Sequence, residues 1–163
     1  MRGKDPRRSA LSHAYKLLGY RDRSEAEMAR RLRMKGFEEP EITGVISQLK
    51  DKGFLDDRRL AASLTRHAGE TKHLSLAGTK KFLVERGVPP DIIEEALGGV
   101  DEADAAKRLV ERKLSLLRKR GGLKPSLSDD ATFRELYGIL YRRGYPSEVI
   151  KKVLNQIGNK EEE

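Results

Sequence analysis

Leu32-Arg33-Met34-Lys35-Gly36-Phe37 returns twice along the chain, as Leu83-Val84-Glu85-Arg86-Gly87-Val88 and as Leu140-Tyr141-Arg142-Arg143-Gly144-Tyr145. Each copy ends an amphipathic run with a leucine, a glycine four positions on and an apolar residue after it. The same register then carries a second apolar set: Ile42, Val45 and Ile46; Ile93, Ala96 and Leu97; Ile150, Val153 and Leu154. The three- and four-residue spacing is that of helices with one buried face. Glycine placed just after such a run predicts a helix end in the left-handed conformation. The chain therefore reads as copies of one helical unit, and its function as a matter of an extended surface rather than a single pocket.

Outward from these glycines the rest of each unit falls into place. A first helix begins at residue 10 with Leu11, Ala14, Tyr15 and Leu18 on one face. Ser24-Glu25-Ala26-Glu27 is a capping box, in which Ser24 accepts from the Glu27 amide and the Glu27 side chain reaches back. Pro40, Pro89-Pro90 and Pro146 stand at helix starts, where a missing N–H is harmless. Asp56-Asp57, Asp101 or Asp104, and Ser128 or Asp129 open further helices. No stretch alternates as a strand would, so the expected fold is all-α, with three tandem three-helix-bundle repeats in an elongated, curved arrangement. The expected boundaries are a basic arm over 1–9, repeats over 10–55, 56–100 and 101–157, a longer loop at 121–130 in the third, and a disordered tail over 158–163. Bundles this small gain only a few kcal/mol from their own cores, so neighbouring repeats are expected to touch.

Charge is unevenly spread. The 163 residues carry a net charge of +8. Residues 1–36 hold 11 Lys/Arg against 4 Asp/Glu, residues 37–104 hold 9 against 14, and residues 105–163 hold 14 against 8. Basic ends suit a polyanion, and an acidic middle suits a partner of mixed charge such as a protein already sitting on DNA. There is no cysteine, which excludes disulfides and thiolate zinc sites. The three histidines have no ligand partners at metal spacing, no phosphate loop is present, and no nucleophile or general base stands out, so neither an enzyme nor a cofactor is expected. No apolar run is long enough for a membrane helix, and no apolar signal segment follows the basic N-terminus. A cytoplasmic monomer is expected.

The first repeat and its junction are the specific part. Asp22-Arg23-Ser24-Glu25-Ala26-Glu27, Leu32, Lys35-Gly36-Phe37 and Gly53-Phe54-Leu55-Asp56-Asp57-Arg58-Arg59-Leu60-Ala61 together resemble the RecX family, bacterial regulators of the RecA recombinase. Arg86-Gly87-Val88 with Ile92-Ile93-Glu94-Glu95-Ala96-Leu97 is similar to the family's middle repeat, and Arg142-Arg143-Gly144-Tyr145 onward fits its third. The stretch Thr71-Lys72-His73-Leu74-Ser75-Leu76-Ala77-Gly78 departs from the glycine and basic residues that lead into the family's second-repeat helix. The resemblance spans about residues 10–157. It implies a non-catalytic protein that binds in the groove of the RecA–single-stranded DNA filament and suppresses ATP hydrolysis, strand exchange and filament growth, as a regulator of recombination and the SOS response.

The candidate partner- or nucleic-acid-binding residues are Arg30, Arg31, Arg33 and Lys35 on one helix and its exit. On the long helix of the third repeat they are Lys107, Arg108, Arg112, Lys113, Arg118, Lys119 and Arg120, extended by Arg142 and Arg143. Like charges at helical spacing repel by a few tenths of a kcal/mol each, so an anionic partner is a reason for them; the bland alternative is a solvated face balanced by nearby acids. Glu94, Glu95, Asp101 and Glu102 are the candidate acidic face toward basic loops of the recombinase. Arg58 and Arg59 can simply pair with Asp56 or Asp57. Tyr137, Tyr141 and Tyr145 repeat every fourth residue, either as a stacking platform for single-stranded bases or as a packed stripe, and Phe133 on the same spacing favours the stripe. Two other classes of function compete with the filament regulator: a direct DNA-binding protein built from helix-turn-helix-like modules, and a helical scaffold that gathers several proteins.

Overall fold

The computed structural model of the chain describes residues 9–119 and 126–161. Among the described residues there are nine α-helices and no strand: α1 Ala10–Tyr20, α2 Glu25–Met34, α3 Glu39–Asp51, α4 Asp57–His67, α5 Leu76–Glu85, α6 Pro90–Leu97, α7 Glu102–Lys119, α8 Asp130–Arg142 and α9 Ser147–Glu161. A π-helical turn over Ala68–Lys72 follows α4.

Local chemistry sets the ends of these helices. Ser9, Ser24 and Asp129 stand in extended backbone before α1, α2 and α8, and each side chain accepts from the amide three positions on. Pro40 sits in the first turn of α3. Each repeated glycine closes its helix in one way. The amides of Gly36, Gly87 and Gly144 donate to Arg33, Val84 and Tyr141 at 2.9 Å, and those of Phe37, Val88 and Tyr145 reach back to Leu32, Leu83 and Leu140. This two-bond closure needs a positive φ at the glycine, observed at +85°, +75° and +86°.

The capping box forms only in half. Ser24 Oγ accepts from the Glu27 amide at 3.0 Å, but the Glu27 carboxylate turns to the guanidiniums of Arg21 and Arg23 instead of reaching back. The double acid also divides its work. Asp56 caps α4 through the Arg59 amide at 3.0 Å, while buried Asp57 accepts from the first amide of α2, Glu25, at 3.0 Å. Helix α9 continues to Glu161 rather than stopping near Ile157. Ile157 is buried in the core, and Leu127 packs 3.5 Å from the Cβ position of Gly158, so the chain is still held there.

Two compact units divide the chain. One runs up to Leu64 and adds Phe82–Ala96; the other comprises Thr65–Lys81 and the chain from Leu97 on. The residues of the middle repeat are therefore shared out, with α4 and α5 each contributing to both. In the first unit, Ala10, Ala14, Met28, Leu32, Ile42, Val45, Leu49 and Leu55 form a core between α1, α2 and α3, with Phe37 and Ile46 packed on it. In the second, α7, α8 and α9 enclose Leu109, Val110, Leu114, Leu136, Leu140, Tyr145, Ile150, Val153 and Leu154. Each buried leucine or isoleucine contributes about 1.5–3 kcal/mol, set against the conformational entropy lost in ordering the helices.

Candidate functional site

The predicted basic residues divide by how far their charge is already answered. On α2, Arg30 and Arg31 are exposed with no carboxylate partner among the described residues, Arg33 is paired with Glu39 at 2.5 Å, and Lys35 forms the helix C-cap. The Arg33 guanidinium holds the Glu39 carboxyl below the usual range. On α7, Arg108 is bonded to Asp104 at 2.5 Å and Lys107 lies 4.0 Å from Glu111. Arg112, Lys113 and Lys119 have no carboxylate partner among the described residues, and Arg118 is exposed in the last turn. Arg120 lies outside the described residues. Arg142 is exposed beside Gly138, and half-buried Arg143 donates to the backbone carbonyl of Lys72.

The acidic residues do more structural work than their spacing suggested. Glu94 and Glu95 are exposed on α6, with Glu95 bound to Arg58. Arg59 donates to the Gly53 carbonyl at 2.7 Å. Asp101 accepts from the Asp104 amide at 3.1 Å and so caps α7, and Glu102 accepts from the first amide of α5, Leu76, at 2.9 Å. The tyrosine stripe is also split. Tyr145 is buried, its hydroxyl donating to the Leu74 carbonyl at 3.3 Å; burial, then the nearby Glu102 charge, pushes it up to about 12. Phe133, Tyr137 and Tyr141 form a row of near-parallel rings, 6.4 and 6.3 Å between centroids, and Tyr141 is 63% exposed.

Two serine–glycine junctions hold residues that sequence spacing alone did not connect. In the first unit, Ser24 Oγ donates to the Arg86 carbonyl at 2.8 Å, and a Cβ on Gly87 would lie 2.7 Å from Ser24 Oγ. The Arg86 guanidinium donates to the Asp22 carbonyl at 2.9 Å and faces Glu27 at 3.8 Å. Burial, and then the nearby Arg21 charge, lowers the Arg86 pKa from its ordinary value. Three guanidiniums, of Arg21, Arg23 and Arg86, thus converge on the buried Glu27 carboxylate. In the second unit, the Ser75 amide donates to the Arg143 carbonyl at 3.2 Å, and a Cβ on Gly144 would lie 2.9 Å from Ser75 Oγ. The signal was present in the sequence, since Ser24 and Ser75 are separated by the same 51 residues as Gly36 and Gly87. Gly36 itself has open space around its Cβ position.

A cavity of about 630 Å³ in the second unit lies along the π-helical turn and α7. It is bordered by Arg66, Glu70, His73, Asp101, Arg108 and Arg112 among others. His73 occupies the left-handed region at φ 53°, which is unusual for a residue other than glycine or asparagine. Among the described residues no group of three or more His, Asp or Glu is arranged to hold a metal ion, and no helix is long and apolar enough to cross a membrane.

Residues 10–49 match the family model for the first three-helix domain of RecX. The regulatory protein RecX of Chlorobaculum tepidum is 31% identical over 149 residues, covering 91% of this chain and 88% of that protein. The chain belongs to the RecX family. The regulatory protein RecX of a Mycobacterium species (strain KMS) is 35% identical over 150 residues, 86% of this chain and 78% of that protein. The crystal structure of RecX from Lactobacillus salivarius superposes with a TM-score of 0.69 at 21% identity, over 90% of this chain and 93% of that one, and so shares the fold. The helical architecture read from the repeats is thus that of RecX structures, and the RecX relatives are regulatory proteins by name.

Proposed function

We propose that this chain is a non-catalytic cytoplasmic regulator of homologous recombination and the SOS response that binds the RecA–single-stranded DNA filament as a monomer. It inhibits the filament's ATPase, strand exchange and growth. The observation that carries the reading is the unanswered positive charge of α7, where Arg112, Lys113 and Lys119 lack carboxylate partners among the described residues. Cations left unpaired at a helix surface suit a polyanionic partner. Membership of the RecX family supplies the regulatory role.

The test is the DNA-dependent ATPase of the cognate recombinase, titrated with the wild-type chain and with an Arg112→Gln/Lys113→Gln/Lys119→Gln variant. The wild type should inhibit at amounts stoichiometric with the filament, and the variant should need more protein. Wild-type inhibition absent at stoichiometry would refute the reading. Tight, sequence-selective binding to bare duplex would point instead to a direct DNA-binding protein. Glu94 and Glu95 form the proposed acidic contact, because Asp101 and Glu102 also serve as helix acceptors. Reversing the charge of the first pair, with thermal unfolding of the variant measured beside its filament binding, separates lost binding from lost folding.

A further inference from the structure

The π-helical turn is pinned from one side. Arg143 donates to the Lys72 carbonyl, the Tyr145 hydroxyl to the Leu74 carbonyl, and the Ser75 amide to the Arg143 carbonyl. These bonds fix His73 in a backbone region that glycine or asparagine would occupy at less cost. The imidazole has a specific partner there. Nε2 lies 3.0 Å from Arg112 Nη1. A guanidinium has no acceptor, so Arg112 is the donor and Nε2 the acceptor. Arg112 is therefore oriented by a ring nitrogen rather than a carboxylate, and has its remaining N–H donors beside an open cavity.

The cavity's charges are unequal in availability. Asp104 is bonded to Arg108, and Asp101 caps α7. Arg66 and Arg112 have no carboxylate partner among the described residues, and Arg143 and Lys113 add charge close to His73. Glu70 is the remaining acid on the rim.

We propose that this cavity is a phosphate-binding site for single-stranded DNA, with Arg112 and Arg66 as its charged donors and His73 as the group that positions Arg112. Single-stranded DNA as the source of the phosphate rests on the proposed function; the phosphate chemistry does not. The charged groups around His73 and the cavity are Glu70 and Lys72 of the turn, Arg66 of α4, Asp101 before α7, Asp104, Arg108, Arg112 and Lys113 of α7, and Arg143 after α8. Burial, then Arg143 and Arg112, lowers the His73 pKa from its ordinary value. A bound phosphate takes over the donors of Arg112 and so releases Nε2, and its negative charge favours the imidazolium, which then donates to the phosphate itself. Phosphate binding therefore takes up a proton and strengthens as pH falls from 8 to 6.

The test uses the full chain, whose three histidines are few enough to follow singly by NMR. Pyrophosphate should raise the titration midpoint of His73 while leaving His13 and His67 in place, and Arg112→Gln should abolish the rise. Oligo-dT should bind several-fold tighter at pH 6 than at pH 8. His73→Asn, which keeps the left-handed backbone, should remove the excess pH dependence. Arg112→Gln should reduce the slope of log affinity against log salt by about one. Glu70→Gln should tighten binding. An unmoved His73, or an equal response at His13, overturns the proposal. A pyrophosphate response without any pH-linked oligo-dT binding overturns nucleic acid as the source. No recombinase is present, so this result stands apart from the ATPase assay.

Discussion

The two serine–glycine junctions share a backbone and differ in charge. In the first, the position three residues after the cap serine is Glu27, and its buried carboxylate draws in Arg21, Arg23 and Arg86. In the second that position is Gly78, whose Cβ would lie 3.3 Å from the Arg143 carbonyl, so any side chain there would have to push that carbonyl back by a few tenths of an ångström. Arg143 donates to the Lys72 carbonyl, close to His73. One junction gathers its arginines on a buried carboxylate; the other leaves Arg143 on a backbone carbonyl. Repetition of a scaffold thus does not repeat its electrostatics.

The largest expected effect breaks the first junction. Glu27→Gln removes the common partner of three guanidiniums, one of them Arg23 at 8% exposure, and should destabilise the chain by about 3 kcal/mol in thermal or denaturant unfolding. A loss below 1 kcal/mol would mean that the cluster is solvated. Next comes alanine at the glycines. Gly87→Ala and Gly144→Ala combine a positive φ with a Cβ inside contact distance of a serine hydroxyl, for an expected loss of about 2–3 kcal/mol each. Gly36→Ala, with similar φ but open surroundings, should cost about 1 kcal/mol. Equal losses at all three would show that the junction contacts contribute nothing.

Serine substitutions sharpen the contrast at smaller scale. Ser24→Ala loses both a cap acceptor and the donor to the Arg86 carbonyl, and should cost about 1–2 kcal/mol. Ser75→Ala loses the acceptor for the Gly78 amide at 3.0 Å and should cost about 1 kcal/mol. The smallest effect is that of pH on His73. Its folded pKa is lowered, chiefly by burial and then by Arg143, so its contribution to stability is full above the unfolded value of about 6.5 and fades as pH falls through the folded one. Unfolding midpoints followed from pH 8 to 5 should therefore drop less in His73→Asn than in the wild type.

Much of this was legible in the sequence. The glycine closures, the Ser24 cap and the apolar registers of all three repeats depend on a few adjacent residues, and local chemistry fixes them. The basic helix α7 was equally visible. Its division into answered and unanswered charges was not, because Arg112 meets His73 from 39 positions away and Arg58 meets Glu95 from 37. Glu27 shows the same limit: its spacing from Ser24 announced a capping box, but three arginines brought together by folding outcompeted one backbone amide for its carboxylate.

By itself, the sequence determined where helices begin and end and which faces are apolar, since capping, left-handed glycine and helical periodicity act within a turn or two of chain. Only the tertiary structure decided which serine meets which glycine, which arginines find a carboxylate, and that His73 holds a strained backbone beside a cavity. Those outcomes follow from burial and from contacts between distant segments, where desolvation makes the choice of partner matter far more than its nearness in sequence.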